Sequence, residues 1–192
     1  MNIWQRGNGQ SYGEFDPHNY WGEVEDLLAV IQYFTTIGRK VTAIIGHSKG
    51  ANVVLLYASK YHDVRMVINV SARFNLKEGM EERWGKNFME ALERDGYIDV
   101  PRKKKDKVEV DYRVTLQSVQ DGLAINMEKS CSKIERNYKV LIVHGSEDKI
   151  VPLQDALRFE ETVRNHVTHI IEGASHCYNH HKDECSPLFS LF

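Results

Sequence analysis

Apolar residues along the 192-residue chain follow two alternating rhythms. From residue 20 to 37, Val24, Leu27, Leu28, Ile31 and Phe34 recur at helical spacing, and Gly38 supplies a stop. Val41 to Ile45 is a short continuous apolar run, which predicts a strand buried on both faces. Ala51 to Tyr61 fits a helix, Met66 to Val70 a second strand, and Val140 to His144 a third. His169 to Ile171 with its neighbours predicts a fourth strand, and a helix lies between Asp155 and Val163. A succession of this kind implies a mainly parallel sheet covered by helices, an α/β fold.

Between Ser71 and about Tyr138 the rhythm changes. Met80, Trp84, Phe88 and Leu92 recur every fourth residue in an amphipathic segment, "VPRKKKDKVEVDYRV" predicts a hairpin, and Leu116 to Ile134 a polar helical segment. Placed after a strand, such an insertion (71–138) reads as a cap or lid within a single domain spanning 1–192. The basic run Arg102 to Lys107 is short and interrupted by Asp106, which favours a solvated hairpin tip over a nucleic-acid or targeting patch.

One stretch of the strand–helix pattern carries chemistry. In "VTAIIGHSKGANVVLLYAS", Gly46-His47-Ser48-Lys49-Gly50 stands where a predicted buried strand gives way to a predicted helix. A chain that turns this sharply holds the serine in a strained conformation above the sheet, and small flanking residues avoid clashes between strand and helix. The start of the helix adds a positive dipole end, and the Lys49 N–H would face an oxyanion formed by attack of Ser48 on a carbonyl. A glycine-bounded turn with no chemistry is the alternative.

A serine hydroxyl is a weak nucleophile and needs a base and an orienting acid. Of nine histidines, His176 in "THIIEGASHCY" lies on a small-residue loop just after a strand, at the edge where a parallel sheet builds its sites. "LIVHGSEDKIVP" puts Asp148 just beyond another strand end, with Glu147 as the competing acid. The order Ser48, Asp148, His176 is the nucleophile, acid, base order of α/β-hydrolases and differs from the two protease orders.

Composition narrows the partners. With 42% hydrophobic and 27% charged residues the chain is ordinary globular protein, and a net charge of −2 argues against nucleic acid or a membrane surface as its main partner. Cys131, Cys177 and Cys185 are few and odd in number, which argues against a disulfide framework. No apolar run approaches a membrane span, and "MNIWQRGNGQ" lacks the apolar core of a secretory signal, so a cytoplasmic location is expected. "HCYNHHKDEC" gathers histidines and cysteines without a second ligand pair of suitable spacing elsewhere, so no metal is expected. Cys177, beside the candidate base, reads more readily as a buried, inert thiol than as a redox sensor.

Four ordered motifs carry a family resemblance: "RGNGQSYGEF", "IIGHSKGANVV", "VLIVHGSEDKIVP" and "HIIEGASHCY". With these motifs the chain resembles the α/β-hydrolase superfamily, and within it the cinnamoyl or feruloyl esterase-like group, which includes plant serine-hydrolase-like proteins and relatives of monoacylglycerol lipases. The first motif is similar to a G-x-G-x-S-x-G loop that follows the family's fourth strand. The resemblance implies a three-layer fold with a cap, no metal or cofactor, a small-molecule ester substrate, and a pocket formed by the 71–138 insertion. Trp84, Phe88 and Tyr112 are candidates to line it, with the interior of the insertion as their other role.

Relatives ordinarily carry about three strands before the G-x-G-x-S-x-G loop, and a His-Gly motif there supplies a second oxyanion N–H. In this sequence Met1 lies six residues before Gly7, so the resemblance implies an N-terminally truncated fold. The strand carrying Ser48 would then have an unpaired edge open to another chain, and activity would be weak or lost. A non-catalytic binding or receptor-like protein, or a truncated isoform, is the competing functional class.

Overall fold

The computed structural model describes residues 7, 8, 10–104 and 107–181, with backbone alone for 102–104 and 107–111. Arg6, Gly9, the charged side chains of the basic run and Cys185 therefore lie outside the described residues. In chain order the elements are α1 (Tyr20–Thr36), β1 (Ala43–His47), α2 (Lys49–Lys60), β2 (Met66–Val70), α3 (Met80–Trp84), α4 (Phe88–Asp95), β3 (Tyr97–Lys104), β4 (Lys107–Thr115), α5 (Leu116–Leu123), α6 (Met127–Cys131), β5 (Lys139–Gly145), α7 (Leu153–Thr162) and β6 (His166–Ile171).

Two compact units divide the chain, one of residues 1–27 and 76–125, the other of 28–75 and 126–192. The second unit holds a four-stranded sheet in the order β1-β2-β5-β6, parallel throughout. Parallel neighbours need crossover connections, and α2 packs against β1 and β2 while α7 packs against β5 and β6. β5 is buried from Val140 to Gly145, as a near-continuous apolar run predicts for an inner strand. One layer of the core joins Ile68, Val70, Leu141, Val143, Ile171 and Ala174. Residues 51–58 of α2 are all buried, which fits its position beside the sheet.

β1 departs from the expected double burial. It starts two residues later than the apolar run and alternates exposed and buried, with Ala43, Ile45 and His47 outward and Ile44 and Gly46 inward. Ile45 is 52% exposed. Its side-chain character is that of an inner strand, but among the described residues β1 has β2 as its one strand partner, and side chains on successive positions face opposite ways. Burial here is set by neighbours, which the local apolar run does not encode.

In the other unit the β3–β4 hairpin is antiparallel, with a register shift between Val100 and Pro101. Met80, Phe88, Leu92, Val114 and Val119 form its core, and Trp84 and Tyr112 pack against that core. The Trp84 indole N–H donates to the Tyr112 hydroxyl at 3.3 Å. These three aromatics thus contribute to the interior of their own unit. The every-fourth-residue segment is two helices, because Gly85 takes φ 91° and its N–H closes on the Glu81 carbonyl, ending α3 before α4 starts. The polar segment from Leu116 likewise breaks into α5 and α6, each opened by a side chain that accepts from the first turn: Thr115 from the Ser118 N–H, Asn126 from the Lys129 N–H.

Candidate active site

Ser48, Asp148 and His176 lie at or beyond the carboxyl ends of β1, β5 and β6, all in the sheet-containing unit. Three strand ends reach one another through the same kind of bond. The N–H of Ser48 donates to the Val70 carbonyl at 2.9 Å, that of Ser71 to Val143 at 2.9 Å, and that of Ser146 to Ile171 at 3.0 Å. Each loop therefore leaves the sheet fixed to the strand beside it.

Ser48 sits between β1 and α2 at φ 55°, ψ −122°, a conformation that non-glycine residues adopt at a cost of about 1–3 kcal/mol. Its hydroxyl makes no capping bond to the helix it precedes. The two flanking glycines differ. A Cβ on Gly46 would lie 2.0 Å from the Gly50 carbonyl oxygen, so strand and helix close only over a glycine there. A Cβ on Gly50 would meet nothing within 4 Å among the described residues, so the expected clash holds on one side of the serine alone. Lys49 is the first residue of α2, and its N–H lies outside the helix's own i→i−4 ladder.

The loops that carry Asp148 and His176 are stitched to each other. The Glu147 N–H donates to the Ala174 carbonyl at 3.0 Å, the Gly173 N–H to Ser146 Oγ at 2.8 Å, and a Cβ on Gly145 would fall 2.2 Å from the Ala174 oxygen. Asp148 is buried, and its Oδ2 lies 2.7 Å from His176 Nδ1. Its Oδ1 accepts from the N–H groups of Ile150 at 2.9 Å and Val151 at 2.8 Å. The competing acid, Glu147, is exposed, and so is Cys177 beside His176, where burial was expected.

Burial alone would raise the Asp148 pKa, but the bonds from His176, Val151 and Ile150 outweigh it and bring the carboxyl down to about 2. An ionised carboxylate only accepts, so His176 Nδ1 carries the proton and a neutral ring leaves Nε2 as an acceptor. Buried His144, 3.7 Å from the same Asp148 oxygen, has its Nε2 engaged at 2.9 Å with the Val151 carbonyl.

Three neighbours had no signal in the sequence reading. His47 Nε2 donates to the His176 backbone carbonyl at 2.8 Å, and the two rings are 4.8 Å apart. Tyr178, at φ 54°, shares a 2.7 Å hydroxyl hydrogen bond with Ser71, itself at φ 53°. With Ser48 these are the described non-glycine residues at positive φ, and the three gather at strand ends and in the base loop. Nothing in a serine or tyrosine as a residue type announces such a backbone. Among the described residues no helix is long and apolar enough to cross a membrane.

A family model described as serine aminopeptidase, S33 (Hydrolase_4) matches residues 3–183. No curated protein sequence matches the chain. Among solved structures, Est1E from Butyrivibrio proteoclasticus with bound ferulic acid gives a TM-score of 0.70 at 23% identity, over 96% of this chain and 71% of that one. The α/β hydrolase GrgF from Penicillium sp. sh18 gives 0.73 at 21% identity, over 97% and 75%. A monoacylglycerol lipase from Paleococcus ferrophilus gives 0.62 at 19%, over 90% and 72%. Likeness at these identities speaks for the fold, which is that of the α/β-hydrolases.

Proposed function

We propose that this chain, which belongs to the serine aminopeptidase S33 family of α/β-hydrolases, cleaves a carboxylic ester of a small molecule through an acyl-enzyme on Ser48. The observation that carries the proposal is the buried Asp148–His176 hydrogen bond at the same sheet edge as a serine held at positive φ. Ser48 Oγ attacks the ester carbonyl while His176 Nε2 takes its proton, and the carbonyl oxygen becomes an oxyanion facing the Lys49 N–H. His176 then gives that proton to the leaving alkoxide, and the alcohol departs. Water, deprotonated by the same nitrogen, attacks the acyl-serine, and collapse releases the carboxylic acid and restores Ser48. Asp148 stays ionised throughout, keeping Nδ1 protonated and stabilising the imidazolium.

In this reading the chain is one hydrolase domain, with residues 71–138 as its cap insertion. Lys49 supplies the assigned oxyanion donor, and removal of one such donor typically costs about 10²- to 10³-fold in turnover. The test is an ester panel of short acyl, long acyl and hydroxycinnamoyl groups, with Ser48→Ala in parallel. Wild-type turnover on at least one ester, lowered about 10³-fold or more by the substitution, supports the reading. Turnover that survives Ser48→Ala refutes it, and a folded protein that cleaves no ester favours the non-catalytic binding class.

A further inference from the structure

His47 directly precedes Ser48 and reaches the loop that carries His176. It is the last residue of β1, and its side chain reaches across to the main chain of the candidate base 129 positions away, Nε2 to the His176 carbonyl oxygen at 2.8 Å. The rings of His47 and His176 are 4.8 Å apart and tilted by 44°. On its other flank His47 meets the Tyr178 ring edge-on at 6.1 Å, and the Tyr178 hydroxyl is in turn bonded to buried Ser71, the residue that follows β2. From these contacts we infer that His47 is a positioning residue: its donor holds the backbone of His176, and so the height of the imidazole above Ser48, by tying the base loop to the strand that bears the nucleophile.

The physical case rests on what else fixes His176. The Asp148 carboxylate holds Nδ1, which sets the ring's rotation but leaves the loop backbone to be placed by other bonds. The loop carries Gly173 at φ 71° and Tyr178 at φ 54°, so it is a tight excursion rather than an extension of β6. Through His47 the backbone of His176 gains a link to β1 directly, bypassing β2 and β5. Burial of the His47 ring lowers its pKa, outweighing the opposing pull of the His176 carbonyl. The ring is accordingly neutral at pH 7 and donates from Nε2 without placing a cation beside the base.

The inference rests on the hydrolase reading for its catalytic consequence, and its test separates the two. Two readouts are taken on wild type, His47→Phe and His47→Gln: the second-order rate of fluorophosphonate labelling of Ser48, and the downfield proton resonance of the His176 Nδ1–H facing Asp148. Phenylalanine keeps a ring without a donor; glutamine keeps an N–H donor without the ring. His47→Phe is expected to slow labelling about 10- to 100-fold, the scale of a misplacement approaching 1 Å, and to shift or broaden the resonance. His47→Gln is expected to recover most of the rate and the wild-type resonance.

Wild-type rate and resonance in His47→Phe overturn the inference. Equal impairment in both variants also overturns it, because the ring rather than the hydrogen bond would then matter. Should wild-type protein fail to label, the nucleophile assignment falls, and the resonance still decides the role of His47: unchanged in His47→Phe, it overturns the inference, and altered there but restored in His47→Gln, it upholds it. His47 lies on the outward side of β1 and its bond to His176 is part-buried, so neither variant opens a cavity in the core.

Discussion

β5 and β1 both end at a proposed catalytic loop, but the sheet supports them differently. β5 is hydrogen-bonded on both sides, to β2 and β6, and buried along six of its seven residues. β1 is bonded to β2 and shows alternate residues to solvent. Asp148 therefore follows the best-anchored strand of the sheet, whereas Ser48 follows a strand bonded to one neighbour. Relative placement of Ser48 and His176 then depends on a few specific bonds, the Ser48 N–H to Val70 and the His47 side chain to His176, more than on general packing.

The contrast can be broken most directly by truncating one side chain in each strand. Leu141→Ala in β5 removes a side chain that is 1% exposed and is expected to cost about 2–5 kcal/mol in chemical denaturation. Ile45→Ala in β1, at 52% exposure, is expected to cost below about 1 kcal/mol. Equal losses would mean that β1 is as well buried as β5.

A second comparison concerns the glycines around Ser48. Gly46→Ala forces a Cβ onto the Gly50 carbonyl and is expected to cost about 3 kcal/mol, with loss of ester turnover. Gly50→Ala, inside α2 with open space around it, is expected to be neutral or to stabilise by about 0.5–1 kcal/mol. A Gly50→Ala variant as damaged as Gly46→Ala would show that the turn is tight on both sides of the serine.

A third expected effect is pH-dependent. Asp148 is lowered to about 2 in the folded chain against about 3.9 unfolded. A depressed carboxyl contributes stability that is present above the unfolded pKa and lost as pH falls toward the folded one, here about 2 kcal/mol between pH 5 and 2. Asp148→Asn should flatten that part of the stability profile. An unchanged acid slope in the variant would place the proton uptake on other carboxyls.

Much of this was legible in the residues. The mostly apolar stretches Met66–Val70 and Val140–His144 were readable as strands, and both are inner strands of the parallel sheet, covered on both faces. Asp148 and His176 stand out because each follows such a strand on a short loop. The family resemblance implied an unpaired edge for the Ser48 strand, but the exposure of one face of β1 was not legible, since Val41 to Ile45 is as apolar as an inner strand and only its neighbours expose Ile45. The Gly85 break was concealed by a four-residue period that runs through both α3 and α4. His47 carries no local mark of its reach, because a hydrogen bond to a carbonyl 129 residues away leaves no spacing pattern.

The central claim is that Ser48 is a nucleophile activated by His176 and Asp148. Intact mass and peptide mapping of folded protein after fluorophosphonate treatment test it most directly. One adduct is expected, on Ser48, absent in Ser48→Ala and formed at least about 10²-fold more slowly in His176→Ala. No adduct, or an adduct on another residue, would contradict it.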